Sequence, residues 1–291
     1  MIDLHMHTTY SDGTCSVKEI LKEAEEKKLE CISITDHDTC LGYKELEDTK
    51  VRNIFHGKII PGCELKSIVD GTTIEILGYN VDTKIMNEVL PTFSPTYEAI
   101  NRHESKKLYD LFISRGYVLD KEAIKFNVER ESGEIAIIKE LLSHNENQRF
   151  LEETNYTDAH EFYRVHMSNP NSPYFIDNSE LVPKPKDVVE VIHKAGGLAF
   201  IPHVFVYGEN SNKVLNALTK DHLVDGIECY YSKFTAEQTD FLLDFCKNNN
   251  YYVSGGSDYH GTYKPGICMG RGINNNLEIP IEIIQPWAQF I

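Results

Sequence analysis

The chain has 291 residues, 41% hydrophobic and 25% charged, enough to bury a sizeable core as one large domain or two small ones. Its formal net charge of −16 disfavours a surface that grips long duplex nucleic acid or anionic lipid, because both need clustered cations. No apolar run is long enough for a membrane span, the first residues lack the pattern of a secretory signal, and the 7 cysteines show no C-x-x-C spacing, so a cytoplasmic chain with reduced thiols is expected.

The chain opens on an apolar run, 1–5, that reads as a buried strand. A helix over 16–29 follows: Ser16 and Glu19 are spaced as a capping box, and Val17, Ile20, Leu21 and Ala24 fall on one face. Runs 31–35, 58–62 and 73–79 are further strand candidates, rich in β-branched or aromatic residues. The stretch 83–182 breaks this alternation. It holds helix candidates at 97–115 and 134–143, then polar segments, and is too long for a plain connection, so it reads as a helical insertion. Beyond it come a helix over 185–195 closed by Gly196-Gly197, strands 198–202 and 226–230, a helix opened by Thr235 and Gln238 with Phe241, Leu242 and Phe245 inward, and a last strand 251–255. Strands alternating with helices predict a parallel α/β fold, and seven of them favour a closed or nearly closed barrel over a doubly wound sheet.

Histidines and acids collect where these strands end. The first ends in His5-Met6-His7, with Asp12 after it; the second in Asp36-His37; the third is followed by Glu64; the fifth ends in His203; and the seventh runs into Asp258-Tyr259-His260. Residues two apart on a strand share a face, so His5 with His7 and Asp258 with His260 are ready-made ligand pairs. Site residues of parallel barrels gather at strand C-termini. Imidazoles mixed with carboxylates suit zinc, manganese or iron. No phosphate-binding G-x-x-x-x-G-K-[ST] loop and no G-x-S-x-G elbow competes with this reading.

The stretches DLHMHTTYSDG, ITDHDT, PGCEL, ILGY, AGGLAFIPH and GGSDYHG, in order from residue 3 to 261, resemble the PHP (polymerase and histidinol phosphatase) superfamily, and most closely its stand-alone bacterial phosphoesterases with a helical insertion. The resemblance implies a distorted (β/α)7 TIM-like barrel from 1–82 and 183–291, with 83–182 as an insertion that lids the site. It implies two to three divalent ions, of manganese, iron or zinc. His5, His7, Glu64 and Asp258 would surround the first, Glu64 would bridge to a second shared with His203, and Asp12, His37 and His260 would hold a third. Where many relatives have a histidine before ILGY, this chain has Glu75, a carboxylate that can ligate the same metals and would make the site harder. Glu134 stands where relatives carry a further histidine in the insertion.

The activity so implied is hydrolysis of a small phosphorylated substrate, of nucleotide type, by a metal-activated hydroxide, with Asp258 and His260 as the catalytic residues and Arg102, Lys264 and Arg271 as candidates to meet the phosphate. Two alternatives accompany it: a 3'-5' exonuclease on short single-stranded ends, and a non-catalytic metal-binding module. No membrane and no long duplex nucleic acid are expected as partners, and the oligomeric state is not legible.

Overall fold

The computed structural model describes residues 1–95, 97–124 and 133–290, without the side chains of Tyr97 and His160. These residues form two compact units: Met1–Ser67 with Ile74–Ser94 and Pro183–Ile291, and Ile68–Thr73 with Pro95–Val182.

In the first unit, β1 (Ile2–Asp3), β2 (Cys31–Ile32) and β3 (Lys58–Ile59) make a parallel three-stranded sheet in that order. A second sheet runs in chain order through β4 (Gly62–Val69), β5 (Thr72–Tyr79), β6 (Leu198–Ile201), β7 (Gly226–Tyr231) and β8 (Tyr252–Gly256). β6, β7 and β8 are parallel, but β5 runs antiparallel to β6.

Two features correct the expected seven-stranded parallel barrel. The run 58–62 divides, its first residues pairing with β2 and Gly62 starting an additional strand, β4. Asp70 and Gly71, with φ of 47° and 87°, then connect β4 to β5 in two residues, the left-handed backbone a tight hairpin demands. The described residues also form two sheets rather than one closed barrel. Beside the candidate ligands His37, His203 and Asp258 the backbone leaves the extended region, with φ of 53° at Asp38, 24° at His203 and 59° at Asp258. The sheets meet there through isolated bridges, Met6 with Tyr259 and His37 with Glu64.

Apolar packing fixes this frame. Ile2, Leu4, Cys31, Ile60, Leu77, Tyr79, Phe200 and Trp287 form one buried cluster. The helix Val17–Glu26 carries the predicted Ser16–Glu19 capping box and buries Val17, Ile20, Leu21 and Ala24. The helix Ala236–Asn249 has the Thr235–Gln238 box, but its inward face is Leu242 with Cys246, while Phe241 is 48% exposed. The second unit contains the helices Tyr97–Ser114 and Gly133–Leu142, with Glu134 in the first turn of the latter. Its core is aromatic: Phe112, Tyr117, Phe150, Phe162 and Tyr174. No helix among the described residues is long and apolar enough to cross a membrane. All 7 cysteines are free.

Candidate metal centre

The site lies wholly in the first unit, with Glu64 and Glu75 within β4 and β5 and the other candidate ligands beyond the ends of strands. Leu4 donates its N–H to the Gly255 carbonyl (3.1 Å) and Asp258 donates its own to the His5 carbonyl (2.8 Å), so the end of β1 and the loop after β8 are locked together. Buried acids brace the flanking backbone. Asp3 accepts the N–H groups of Ser257 (2.8 Å) and Gly270 (2.7 Å). Asp36 accepts the Thr8 N–H and the Thr8 and Ser11 hydroxyls, each at 2.7 Å.

Three overlapping clusters result. His5, His7 and Glu64 form the first: Nε2 of each imidazole lies 3.2 and 3.3 Å from Glu64 Oε2, and Asp258 Oδ1 is 3.6 and 3.4 Å from the same two nitrogens. His37, Glu64 and Glu75 form the second; His203 Nε2 joins it, 3.0 Å from Glu64 Oε1 and 3.4 Å from Glu75 Oε2. His7, Asp12, His37 and His260 form the third, with His260 Nε2 3.2 Å from Asp12 Oδ1. The nine candidate ligands read from the sequence thus stand together. His7 and His37 each take part in two clusters, a sharing that spacing alone does not show. His5, His7 and Glu64 are fully enclosed, whereas Asp12 is 38% and Glu75 20% exposed, so the centre opens on their side.

Burial works against every charge here, and opposite charges outweigh it. At His5 the carboxylates of Glu64, Glu228 and Asp258 overcome desolvation and hold the imidazole well above its usual pKa. At His7, Asp258, Glu64 and Asp12 do the same, to about 9. Desolvation would raise Asp12, Glu64 and Asp258, but His37 and His260 at the first, His5 and His37 at the second, and Lys264 and His260 at the third hold all three well below the carboxylate range. His260 is lowered, first by burial and then by the neighbouring His7.

The donor set fits divalent metal. Among the described residues, His7 Nε2 and His37 Nδ1 are buried without a hydrogen-bond partner, although Glu64 Oε2 lies 3.3 Å from each. Buried imidazoles and carboxylates so placed could hold divalent cations. Mixed nitrogen and oxygen donors suit manganese, iron or zinc.

Each candidate phosphate contact has its own setting. Lys264 Nζ is 2.7 Å from Asp258 Oδ2 and mostly buried. Arg271 is exposed. Arg102 pairs with Glu98 one turn away on an exposed helix face of the second unit. Sequence reasoning missed three groups that touch the ligands. Tyr231 donates its hydroxyl to Asp258 Oδ2 (3.0 Å), the Tyr207 hydroxyl oxygen accepts the Glu75 N–H (3.0 Å), and Glu228 meets His5 and His203. Only Glu228 left a signal, as a lone acid inside the apolar run of β7.

The profile described as PHP domain matches residues 3–253 of this chain. A 5'-3' exoribonuclease of Haemophilus influenzae is 26% identical over 99% of this chain and 98% of its own length. The 5'-3' exoribonuclease of Escherichia coli is 24% identical over 92% of this chain and 88% of its own. The phosphoribosyl 1,2-cyclic phosphate 1,2-diphosphodiesterase of Eggerthella lenta is 25% identical over 90% and 94% respectively. Among solved structures, a proposed metal-dependent phosphoesterase from Bifidobacterium adolescentis superposes with a TM-score of 0.66 at 21% identity, covering 98% of this chain and 94% of that one. An amidohydrolase from Chromobacterium violaceum, solved with sulfate and no metal, gives 0.61 at 20% identity, covering 89% and 87%. The mixed α/β fold is common to all three.

Proposed function

The chain belongs to the PHP domain family, and from that footing we propose that it is a metal-dependent phosphoesterase acting on nucleotide-type phosphate esters. The observation that carries the reading is Glu64, whose two carboxylate oxygens serve imidazoles of adjoining clusters. Two to three divalent ions would be held by His5, His7, Asp12, His37, Glu64, Glu75, His203, Asp258 and His260. When bound, such ions lower the pKa of water and neutralise the oxygens of a phosphoryl group.

The chain's own residues supply position and proton handling. Asp12, Glu64, Glu75 and Asp258 put four carboxylates at the pocket, so cations would be needed to offset their repulsion of a phosphate. Asp258, at the β8 end, is the proposed group that orients the attacking water, and Lys264 keeps its carboxyl ionised. His260, beside it, has its pKa lowered by burial and by His7, which suits its imidazole to ligating beside Asp258 rather than to giving a proton to the leaving oxygen. Lys264 and Arg271 are the proposed contacts to substrate phosphate from this unit. Glu75, in place of an imidazole, favours manganese or iron over zinc.

The relatives named as 5'-3' exoribonucleases match this chain over most of both lengths, which supports trimming of RNA from its 5' end rather than the 3'-5' polarity expected as the alternative. The strong acidity agrees with a substrate engaged at its terminus and not along its length. A cyclic phosphodiester of a sugar is the second reading, supported by the Eggerthella lenta relative. Short 5'-phosphorylated RNAs labelled at either end, incubated with the protein and manganese, test the proposal. Mononucleotides released from the 5' end support it. Intact RNA together with turnover of a cyclic sugar phosphodiester selects the second reading, and no phosphoester cleavage on either rejects both.

A further inference from the structure

Glu228 lies within β7 with none of its surface exposed, between Ile227 and Cys229 in the sequence of the run. A carboxylate taken that far from water persists only if its oxygens are fully used. Oε1 is 2.9 Å from Nδ1 of His5, and Oε2 accepts the backbone N–H of His203 at 2.7 Å. Those partners come from different sheets, His5 from the end of β1 and His203 from the end of β6.

Each contact constrains a ligand. His5 has two ring nitrogens. With Nδ1 donating to Glu228, Nε2 is the nitrogen left to give its lone pair to a metal, and it faces Glu64 at 3.2 Å. His203 has φ 24° and ψ 44°, a conformation unfavourable for a residue with a Cβ. Its N–H is anchored by Glu228 in that turn, and its Nε2 is thereby brought to 3.0 Å from Glu64 Oε1.

We propose that Glu228 is a positioning residue that fixes the His5 tautomer and holds the strained His203 turn, aligning two ligands on opposite oxygens of Glu64. The inference rests on the reading of this centre as a metal site. Partners of this kind orient ligating imidazoles, and their loss weakens metal binding by about 10- to 100-fold.

The isosteric variant Glu228→Gln separates positioning from packing. A glutamine side chain offers one acceptor and one NH2 donor, yet both groups it must face are donors. The backbone N–H of His203 cannot change. The imidazole can, by moving its proton to Nε2, which removes the lone pair meant for the metal. Calorimetric titration of the metal-free proteins with manganese is the test, with circular dichroism to establish folding. Binding about 10- to 100-fold weaker in a folded Glu228→Gln supports the proposal. A folded variant that binds manganese within about threefold of the parent overturns it. Should the variant not fold, nitrogen-15 imidazole spectra of the zinc-loaded parent decide: a proton on His5 Nδ1 supports the proposal, and a proton on Nε2 overturns it. A parent protein that binds neither metal rejects the metal-site reading itself, a result distinct from the others.

Discussion

Glu64 Oε1 lies 3.0 Å from Nε2 of His203, while its other oxygen faces His5, His7 and His37 at 3.2 to 3.3 Å. One buried side chain from the start of β4 therefore joins the first two clusters. A carboxylate in that place can bridge two cations and offset their mutual repulsion, which a neutral side chain cannot.

Glu64→Gln is therefore expected to lower phosphoester turnover by more than the roughly 10- to 100-fold seen when an outer partner of a ligand is lost. Bound metal should fall with it. Steady-state rates and elemental analysis on the same preparation check this. Turnover within about threefold of the parent would contradict the bridging role.

Glu75→His should move metal preference toward zinc, because it replaces a hard oxygen with an imidazole beside His203. Competitive loading with equal manganese and zinc, read by elemental analysis, gives the ratio. An unchanged ratio would mean that Glu75 does not touch the metal.

The pH dependence follows from His7. Its folded pKa of about 9 lies above the ordinary 6.5. A raised histidine stabilises the metal-free fold fully below about 6.5, and that contribution is lost as pH rises through about 9. Metal must displace the same proton, so manganese affinity should increase over this window and binding should release protons. Melting curves of chelated protein between pH 6 and 10 should show a falling Tm, and calorimetry in buffers of different ionisation enthalpy should show the proton release. A metal-free Tm that rises across that window would contradict this account.

Phe112 is fully buried in the second unit, with ring contacts to Tyr117, Phe150 and Tyr174. Phe112→Ala should cost about 3–5 kcal/mol, the usual price of deleting a core aromatic ring. Denaturant unfolding measures it. A loss below about 1 kcal/mol would show that this cluster does not hold its unit together.

The site was more legible in the sequence than the sheet arrangement. His5 with His7 and Asp258 with His260 could be paired because residues two apart share a face, and the structure brings His5 and His7 to Glu64, His260 to Asp12, and Asp258 beside both His5 and His7. β4 escaped because an apolar run up to Gly62 hides the break after Ile59, although Asp70-Gly71 between two β-rich segments is a hairpin signal that was there to read. The division into two sheets was not legible in the periodicity, since the backbone turns to positive φ at residues such as His203 and Asp258 that carry no apolar signal. Hydrophobicity alone turns Phe241 inward, yet Leu242 and the smaller Cys246 occupy the buried face. Glu228 reads as an ordinary strand acid until its two partners, 223 and 25 residues away in the chain, are seen.

Metal content of protein purified without chelator or nickel tests the central claim most directly. The account predicts two to three manganese, iron or zinc ions per chain, with phosphoester turnover lost on chelation and restored by manganese. Fewer than one ion per chain, with no turnover gained on adding manganese, would contradict it.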